Sequence, residues 1–257
     1  MFKVASWNVN SLAVRLEQVL NWLVGAEIDV LAVQETKVPD ERFPYAAFEA
    51  LGYGVHFCGQ KAYNGVALIS KWPMHDVVMS SPDGDDSQRR LIAATVGSLR
   101  VINLYVPNGA APGTDKYAYK LNWLSCVNAF IKQQLLQYPK LMVLGDFNIA
   151  PDDRDVHDPA AWEGSILVSP DERQALADLL ALGLVDSFRL FTDDAMHFSW
   201  WDYRGGSFRR NHGARIDLVL LSDALKAVCL ESAIDQEPRR ASRPSDHAPV
   251  WVTLNAL

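Results

Sequence analysis

The chain has 257 residues, of which 49% are hydrophobic and 21% charged, a composition typical of a globular protein. Its formal net charge of −7 argues mildly against nucleic acid as a partner, because affinity for a polyanion comes from Lys and Arg on phosphates. A metal site needs several carboxylates, however, and these count toward the total although the ion cancels them locally. The length predicts one domain that spans residues 1–257.

The cysteines and the apolar runs favour a cytoplasmic protein without a membrane span. Three widely spaced cysteines form neither a metal-binding spacing nor a disulfide framework, so we expect buried free thiols. The N-terminal segment MFKVASWNVN is typical of a strand and not of a signal peptide. The run nearest to a membrane span, 219–230, is interrupted by Ser222, Asp223 and Lys226. No heptad repeat predicts a coiled-coil dimer, so we expect a monomer.

Strand patterns are spread from one end of the chain to the other. Short runs rich in β-branched and aromatic residues recur, and several of them end directly at a polar residue. The predicted strands are, in chain order, Phe2–Trp7, Asp29–Val33, Gly65–Ser70, Leu91–Val96, Arg100–Val106, Leu141–Leu144, Arg215–Leu221 and Pro249–Leu254.

Helical periodicity lies between these strands. The segment Ser11–Val24 carries apolar residues on one face, with its first residue as the expected N-cap, and Asp115–Leu136 has the same spacing. The Ser-Pro-Asp-Glu sequence at 169–172 predicts a helix start, and that helix should run to about Leu182 and stop at Gly183. Strands and helices mixed along the chain predict an α/β layered fold.

Candidate chemical groups are concentrated in four short segments that follow or adjoin apolar runs. They are Ser6-Trp7-Asn8-Val9-Asn10, Gln34-Glu35-Thr36-Lys37, Gly145-Asp146-Phe147-Asn148 and Ser245-Asp246-His247. Because strand ends in layered α/β folds converge on one rim, we expect these segments to lie close together. Their oxygen ligands suit Mg²⁺ or Mn²⁺ better than Zn²⁺, and Glu35 and Asp246 are the carboxylates available to such an ion.

The asparagines in these segments stand two residues from a second polar side chain. Side chains two apart on extended backbone point the same way, which predicts that Asp146 and Asn148 reach one place, as do Asn8 and Asn10. An Asx turn after the strand is the alternative interpretation of the Asp-Phe-Asn sequence.

The acid Asp217 stands within an otherwise apolar strand. A buried acid needs a partner, and His247 would be oriented and held in its charged form by that contact. Two alternatives stay open: a salt bridge from Asp217 to Arg215 or another arginine, and an ordinary packed or surface position for His247.

Positive charge is clustered in spite of the negative total. Two groups of arginines are interleaved with aromatic residues or lie just before the Ser-Asp-His segment. They are Arg204, Arg209, Arg210 and Arg215, and then Arg239, Arg240 and Arg243. This pattern suggests contact with a nucleic-acid backbone beside a stacking surface, with a solvated basic loop as the alternative.

These segments resemble the exonuclease III family of DNA repair nucleases, within the endonuclease/exonuclease/phosphatase superfamily. Further markers of the resemblance, in family order, are Asn64-Gly65-Val66-Ala67, Leu104-Tyr105-Val106-Pro107-Asn108-Gly109, Trp200-Trp201-Asp202-Tyr203, Arg215-Ile216-Asp217 and Ala248-Pro249-Val250. The resemblance covers essentially the whole chain. It implies a four-layer α/β sandwich, with two packed, mostly antiparallel sheets flanked by helices.

Other branches of the superfamily, which include sphingomyelinases and inositol phosphate phosphatases, carry a histidine where this chain has Tyr105. The resemblance to the exonuclease III branch therefore favours DNA over a lipid or inositol phosphate. It implies hydrolysis of double-stranded DNA 5′ to abasic sites, removal of 3′-terminal nucleotides or blocking groups, or both, leaving a 3′-hydroxyl. A predominantly 3′-5′ exonuclease, another phosphodiesterase or phosphatase of the superfamily, and a non-catalytic binder are the alternatives.

The resemblance also implies roles for individual residues. The metal ion would be Mg²⁺, with Mn²⁺ as a substitute, held by Asn8, Glu35 and Asp246, and a second ion would recruit Asp146, Asn148 and His247. The implied catalytic residues are Tyr105, Asp146, Asn148, Asp217 and His247. The implied DNA contacts are Asn10, Asn108, Trp200, Arg209, Arg210, Ala214, Arg215, Ile216 and His247. Within this set, Asp146 would activate water, and Trp200, Ala214 and Ile216 would line a pocket for a base-less sugar.

One loop departs from the family pattern. Relatives of the animal-like abasic endonuclease subgroup carry Asn-x-Lys-x-x-Gly-Phe ahead of the Pro-x-Glu-Arg helix start, whereas residues 162–168 here are WEGSILV. Since that loop touches DNA in such relatives, its change bears on the balance between internal cleavage and action at 3′ ends.

Overall fold

The computed structural model, which describes residues 1–255, contains two six-stranded sheets packed face to face. The first sheet has the strand order β11-β12-β1-β2-β4-β3 and the second β5-β6-β7-β8-β10-β9. Only β1–β2 and β7–β8 are parallel neighbours among the described strands, so both sheets are mostly antiparallel, as predicted.

The strands are β1 Phe2–Asn8, β2 Val30–Gln34, β3 Gly54–Cys58, β4 Val66–Ser70, β5 Met74–Val78, β6 Leu91–Val96, β7 Leu99–Tyr105, β8 Leu141–Asp146, β9 Leu184–Asp186, β10 Asp217–Ser222, β11 Cys229–Ile234 and β12 Val250–Leu254. The helices are α1 Leu12–Gly25, α2 Tyr45–Glu49, α3 Asp115–Gln137, α4 Pro159–Trp162, α5 Pro170–Leu180, α6 Ser207–Arg210 and α7 Asp223–Lys226.

Three apolar clusters create the four layers. The inner faces of the two sheets meet in a core that includes Val4, Leu68, Ile92 and Leu144. The outer face of the first sheet packs against α1 and α2, and the outer face of the second packs against α3 and α5. Burial of alternate residues on both faces explains why the central strands are almost wholly apolar. The predicted four-layer α/β sandwich is confirmed.

The four edge strands were not predicted from the sequence. All eight predicted strands are present, whereas β3, β5, β9 and β11 were not predicted, and they end the two sheets. Each edge strand is only partly buried, as in the exposed middle residues of β5 and β11. Because an edge strand packs on fewer neighbours, its sequence is free to carry polar residues, and the hydrophobic pattern disappears.

The boundaries of the long helices were predicted closely, whereas one of the two predicted N-caps was wrong. Ser11 precedes α1, but its φ is 92° and its side chain makes no capping bond, so the predicted cap is wrong. Ser169 does cap α5, in a reciprocal capping box with Glu172. That helix ends at Leu180, before Gly183, whose φ of 98° is left-handed. The four unpredicted helices have only four or five residues each, too short to show a periodicity.

The three cysteines are free thiols, as predicted, but only Cys58 is buried. Burial raises the pKa of the Cys58 thiol to about 12, so it stays protonated. Cys126 and Cys229 are partly exposed, which corrects the expectation that all three are buried. In the part of the chain that the structure describes, no helix has the length and apolar character to cross a bilayer.

Candidate active site

The register of the second sheet places three predicted catalytic residues side by side. Asp146 ends β8, and its neighbours in register are Tyr105 on parallel β7 and Asp217 on antiparallel β10. Paired residues project to the same face of a sheet, so the three side chains rise from one rim. Gly145 allows this arrangement, since a Cβ there would lie 1.9 Å from the Leu104 carbonyl oxygen.

The first sheet contributes Asn8 and Glu35 from the ends of β1 and β2, which are parallel neighbours. The Asn8 amide nitrogen donates to Glu35 Oε1 at 2.8 Å and to Asp146 Oδ2 at 2.9 Å. The predicted convergence of strand ends therefore holds for residues from both sheets, and Asn8 bridges them.

The two asparagines beyond the strand ends reach the site through turns. Asn148 and Asn10 have left-handed φ values of 48° and 42°, so the predicted extended backbone is wrong. Their N–H groups donate to Asp146 Oδ1 at 2.9 Å and to Asn8 Oδ1 at 3.0 Å. The Asx turn considered as an alternative at 146–148 is therefore present, and it is the turn itself that brings Asn148 to Asp146.

His247 is paired with Asp217 and not left as an isolated side chain. Its Nδ1 lies 2.8 Å from Asp217 Oδ2, and both groups are buried. The alternative salt bridge from Asp217 to Arg215 is wrong, because Arg215 binds Asp155 at 2.6 Å and Asp186 at 2.7 Å. The other imidazole nitrogen, Nε2, lies 3.8 Å from Asp146 Oδ2.

These contacts set the protonation of the site. Burial lowers the pKa of His247, but the charges of Asp217 and Asp146 outweigh it and raise the value to about 10. The imidazole is therefore a cation at neutral pH, with both N–H groups available as donors. Burial raises the pKa of Asp146 to about 7, although the neighbouring His247 charge opposes the shift. Burial and the charges of Glu35 and Asp146 raise the pKa of Tyr105 well above its usual value, so its phenol keeps its proton.

Asp246 is fixed by two side-chain hydrogen bonds. Its oxygens accept from Asn10 Nδ2 at 2.9 Å and from Trp200 Nε1 at 3.0 Å. Burial alone would raise its pKa, but the His247 charge and these two hydrogen bonds outweigh burial and lower the pKa of Asp246. The carboxylate therefore stays ionised at neutral pH.

A cavity of about 330 Å³ opens over these groups. Its lining includes nine of the predicted site residues: Glu35, Tyr105, Asn108, Asp146, Asn148, Trp200, Ile216, Asp246 and His247. The remaining lining residues are Trp162, Ile166 and Leu167, all from the loop that departs from the family pattern. The cavity thus has charged and polar groups on one side and aromatic and aliphatic walls on the other.

The donor set fits a hard divalent cation. Glu35, Asp146 and His247 each offer one ligand atom, and these atoms lie within 4.8 Å of one another. Both carboxylates accept a hydrogen bond from the Asn8 amide nitrogen, so these three side chains lie together where they would hold a cation. Asn8 would bind the ion through its amide oxygen. The carboxylates of Glu35 and Asp146 supply the oxygen ligands that a hard cation prefers, and the His247 ring lies within reach.

Two predicted DNA contacts are not accessible. Arg215 is only 1% exposed, and its guanidinium is used by Asp155 and Asp186 inside the protein, so the prediction that it touches DNA is wrong. Ala214 is fully buried and packs behind Trp200 and Ile216, so it supports the wall of the cavity but does not line it. A sequence cannot distinguish these positions from Ile216, because all three belong to one short segment.

The remaining basic residues divide into exposed and buried groups. Arg209 and Arg210 are exposed on the short helix α6, as their predicted role requires. Arg239 is buried and lies over the rings of Trp201, Tyr203 and Phe208. Trp201 and Phe198 are fully buried as well, so the expected stacking surface is in part a core.

Three cations near the site were not predicted. Lys37 donates to Asn10 Oδ1 at 2.6 Å and pairs with Glu35 Oε2 at 2.7 Å. The Arg90 guanidinium lies 4.7 Å from the centre of the Tyr105 ring. Lys120 reaches the backbone of Asn148 from α3. Only Lys37 had a signal in the sequence, its place two residues after Glu35, whereas the other two come from distant segments.

Comparison with known proteins identifies this arrangement. The profile of the Endonuclease/Exonuclease/phosphatase family matches residues 5–247. Exodeoxyribonuclease III of Haemophilus influenzae is 36% identical over 262 residues, covering 97% of this chain and 98% of that protein. A Neisseria 3′ phosphatase, solved with a product DNA hairpin, is 44% identical with a TM-score of 0.98, and an AP endonuclease from Archaeoglobus fulgidus is 36% identical with a TM-score of 0.95; both comparisons cover 100% of each chain. The chain therefore belongs to the endonuclease/exonuclease/phosphatase family, and within it to the exonuclease III group of nucleases.

Proposed function

We propose that this nuclease is a Mg²⁺-dependent phosphodiesterase of double-stranded DNA that acts at 3′ ends and 5′ to abasic sites, with 3′-end processing dominant. The observation that carries the proposal is the buried Asp217–His247 pair facing Asp146 at the floor of a cavity with apolar walls. A cavity of about 330 Å³ suits a terminal or base-less sugar and leaves little room for a stacked base pair. The 44% identity to a Neisseria protein described as a 3′ phosphatase supports the emphasis on 3′ ends.

The phosphate would be held by His247. Asp217 fixes Nδ1–H, which aims Nε2–H into the cavity, and the raised pKa keeps that donor protonated at neutral pH. A cationic donor at a buried site binds a phosphate oxygen strongly. The Tyr105 phenol, which also keeps its proton, would donate to a second phosphate oxygen or to the leaving oxygen.

Water would be activated by Asp146. In its ionised form this carboxylate accepts a proton from water, and a pKa near 7 is well matched to that role. Asn148 stands beside it, with Nδ2 bound to the Val106 carbonyl at 3.0 Å and Oδ1 accepting from Asn108 at 3.2 Å. These bonds hold the Asn148 amide in the position from which it would orient the water.

The cation would be held by Glu35 and Asp146, with Asn8 and Asp246 as the further proposed ligands. When bound, Mg²⁺ neutralises the phosphate charge and stabilises the leaving oxygen, and Mn²⁺ would serve in its place. Metal dependence is typical of the family, and the carboxylate geometry here accommodates it.

DNA would approach over the rim of the cavity. Arg209 and Arg210 would contact backbone phosphates, and Asn10 and Asn108 would do so closer to the scissile bond. We further propose a cytoplasmic monomer, which agrees with the free thiols, and size-exclusion chromatography with light scattering tests the monomeric state.

Two labelled duplexes in Mg²⁺ test the proposal. One carries an internal abasic site and blocked 3′ ends, and the other is undamaged with a free recessed 3′ end. Faster reaction at the 3′ end supports the proposed order of activities. Incision of the abasic duplex alone would reverse that order, and turnover of neither duplex would contradict the proposed function.

A further inference from the structure

Two loops meet at the wall of the cavity, and each contains a non-glycine residue with left-handed backbone. Asn148 has φ 48° and Leu167 has φ 77°, both in the left-handed region. The loops are joined directly, because the Ala150 N–H donates to the Leu167 carbonyl at 2.8 Å. Asparagine tolerates this region, whereas a leucine there is strained and persists only where the surrounding structure holds it.

Lys120 fixes the first loop, which contains Asn148, through hydrogen bonds to backbone carbonyls. It is fully buried on α3, and its ammonium donates to the Asn148 carbonyl at 2.7 Å, to the Asn108 carbonyl at 3.2 Å and to the carboxylate of Glu172. All three N–H donors of the ammonium are therefore used. Two of them end on the backbone of residues that line the cavity.

Glu172 holds the second loop. It is fully buried on α5, and its Oε1 accepts from the Leu167 N–H at 3.2 Å as well as from Lys120. Its Oε2 accepts from the Ser169 N–H at 3.1 Å and from Ser169 Oγ at 2.6 Å. The carboxylate thus connects the loop at 162–168 to the ammonium that holds Asn148.

Gly109 shows how closely these parts are packed. Its φ is 89°, and a Cβ there would lie 2.9 Å from Lys120 Cδ and 3.1 Å from Ile166 Cδ1. The absence of a side chain lets the backbone after β7 lie against both the Lys120 stem and the divergent loop. Three loops around the cavity therefore share one buried ion pair.

We propose that Lys120 and Glu172 are a positioning pair that sets the 162–168 loop against Asn148 and thereby determines discrimination between a DNA 3′ end and an internal abasic site. The inference rests on the proposed function for its substrates. A buried ion pair is often replaceable by neutral residues without loss of stability, so the fold alone does not require these two charges. The two charged side chains instead provide the hydrogen bonds to Asn148, Asn108 and Leu167 that position the loops.

The test compares Lys120→Met/Glu172→Gln with Ile131→Ala. The double variant is neutral and keeps a hydrogen-bonding side chain at position 172, whereas Ile131 is a buried apolar residue on the same helix without contact to the site. We expect the ratio of kcat/KM for the 3′-end and abasic duplexes to change about 10-fold or more in the double variant, because a misplacement of about 1 Å can cost ~100-fold. The ratio should stay unchanged in Ile131→Ala, even at an equal loss of thermal stability.

An unchanged ratio in a folded double variant overturns the inference. Should the double variant not fold, Ser169→Ala loosens Glu172 while both charges stay paired, and it should shift the ratio in the same direction by a smaller factor. Hydrogen exchange tests the inference independently of the proposed function. Amides of residues 162–168 should exchange faster in the double variant than in Ile131→Ala, whether or not either DNA is cleaved, and equal exchange in the two overturns the inference.

Discussion

His247 donates through Nδ1 to Asp217 Oδ2 at 2.8 Å, in a contact buried between the ends of β10 and β12. The contact joins two residues that are 30 positions apart in the chain. It orients the imidazole so that Nε2 faces Asp146 at 3.8 Å, and it helps to keep the ring charged. Charge and direction at this single side chain are the basis of the proposed phosphate site.

Asp217→Asn removes the negative charge while it keeps the shape of the side chain. We expect the pKa of His247 to fall, because the charge of Asp217 raises it, so that the ring no longer holds a proton as firmly at neutral pH. Cleavage should fall by at least ~100-fold, a loss typical of a disturbed acid or base. NMR titration of the His247 ring measures the pKa, and an unshifted value with normal kcat would refute the role of the pair.

Asp146→Asn removes the proposed base without changing the size of the side chain. DNA binding, measured by fluorescence anisotropy, should be close to that of the unchanged protein, while kcat falls by at least ~100-fold. His247→Ala should lose a similar factor. Near-normal turnover in either variant would contradict the assigned roles.

The cleavage rate should fall along an acid limb of the pH profile, and the pH of that limb should depend on the Mg²⁺ concentration. Burial raises the pKa of Asp146 to about 7, so the carboxylate is protonated below that pH and loses its capacity to accept a proton from water. A cation competes with the proton for the same oxygens. Raising the Mg²⁺ concentration should therefore move the limb to lower pH, and EDTA should abolish turnover until Mg²⁺ or Mn²⁺ is restored. A limb that is independent of Mg²⁺ concentration would exclude Asp146 as a shared ligand and base.

Arg209→Ala/Arg210→Ala should weaken DNA binding through lost phosphate contacts. The slope of log K against log salt should fall in magnitude by about 2, KM should rise, and kcat should stay unchanged. Lys226→Ala is the control, because Lys226 is exposed on α7, beyond the opposite end of β10. Equal slopes in the wild-type protein and the double variant would show that these arginines do not contact DNA.

Arg215→Met should act on stability and not on DNA binding. Its removal leaves the buried Asp155 and the partly buried Asp186 with less compensating charge, a change that typically costs about 3–5 kcal/mol. Thermal and denaturant unfolding measure the loss. A smaller salt slope for DNA binding would show instead that Arg215 reaches phosphate.

The hydrophobic pattern was sufficient to predict the central strands and long helices. Strands such as β6 and β8 lie between two apolar layers, so nearly every residue in them is apolar and the run is visible in the sequence. The edge strands face one layer and solvent, and they carry no such pattern. The resemblance of local segments was likewise sufficient to place Glu35, Tyr105, Asp146 and His247 at one site, because each follows or adjoins a strand end.

Only the tertiary structure decided which of these groups are charged, exposed or in contact. Arg209 and Arg215 are six residues apart and have the same side chain, yet one is exposed and the other is buried in an ion pair, because burial depends on distant segments such as β9. For the same reason, the contact between Lys120 and Glu172, which are 52 positions apart, could not be predicted from the sequence. The sequence by itself determined the central strands, the family and the reactive side chains, whereas the packing of loops from remote parts of the chain determined the protonation of those side chains and the shape of the cavity.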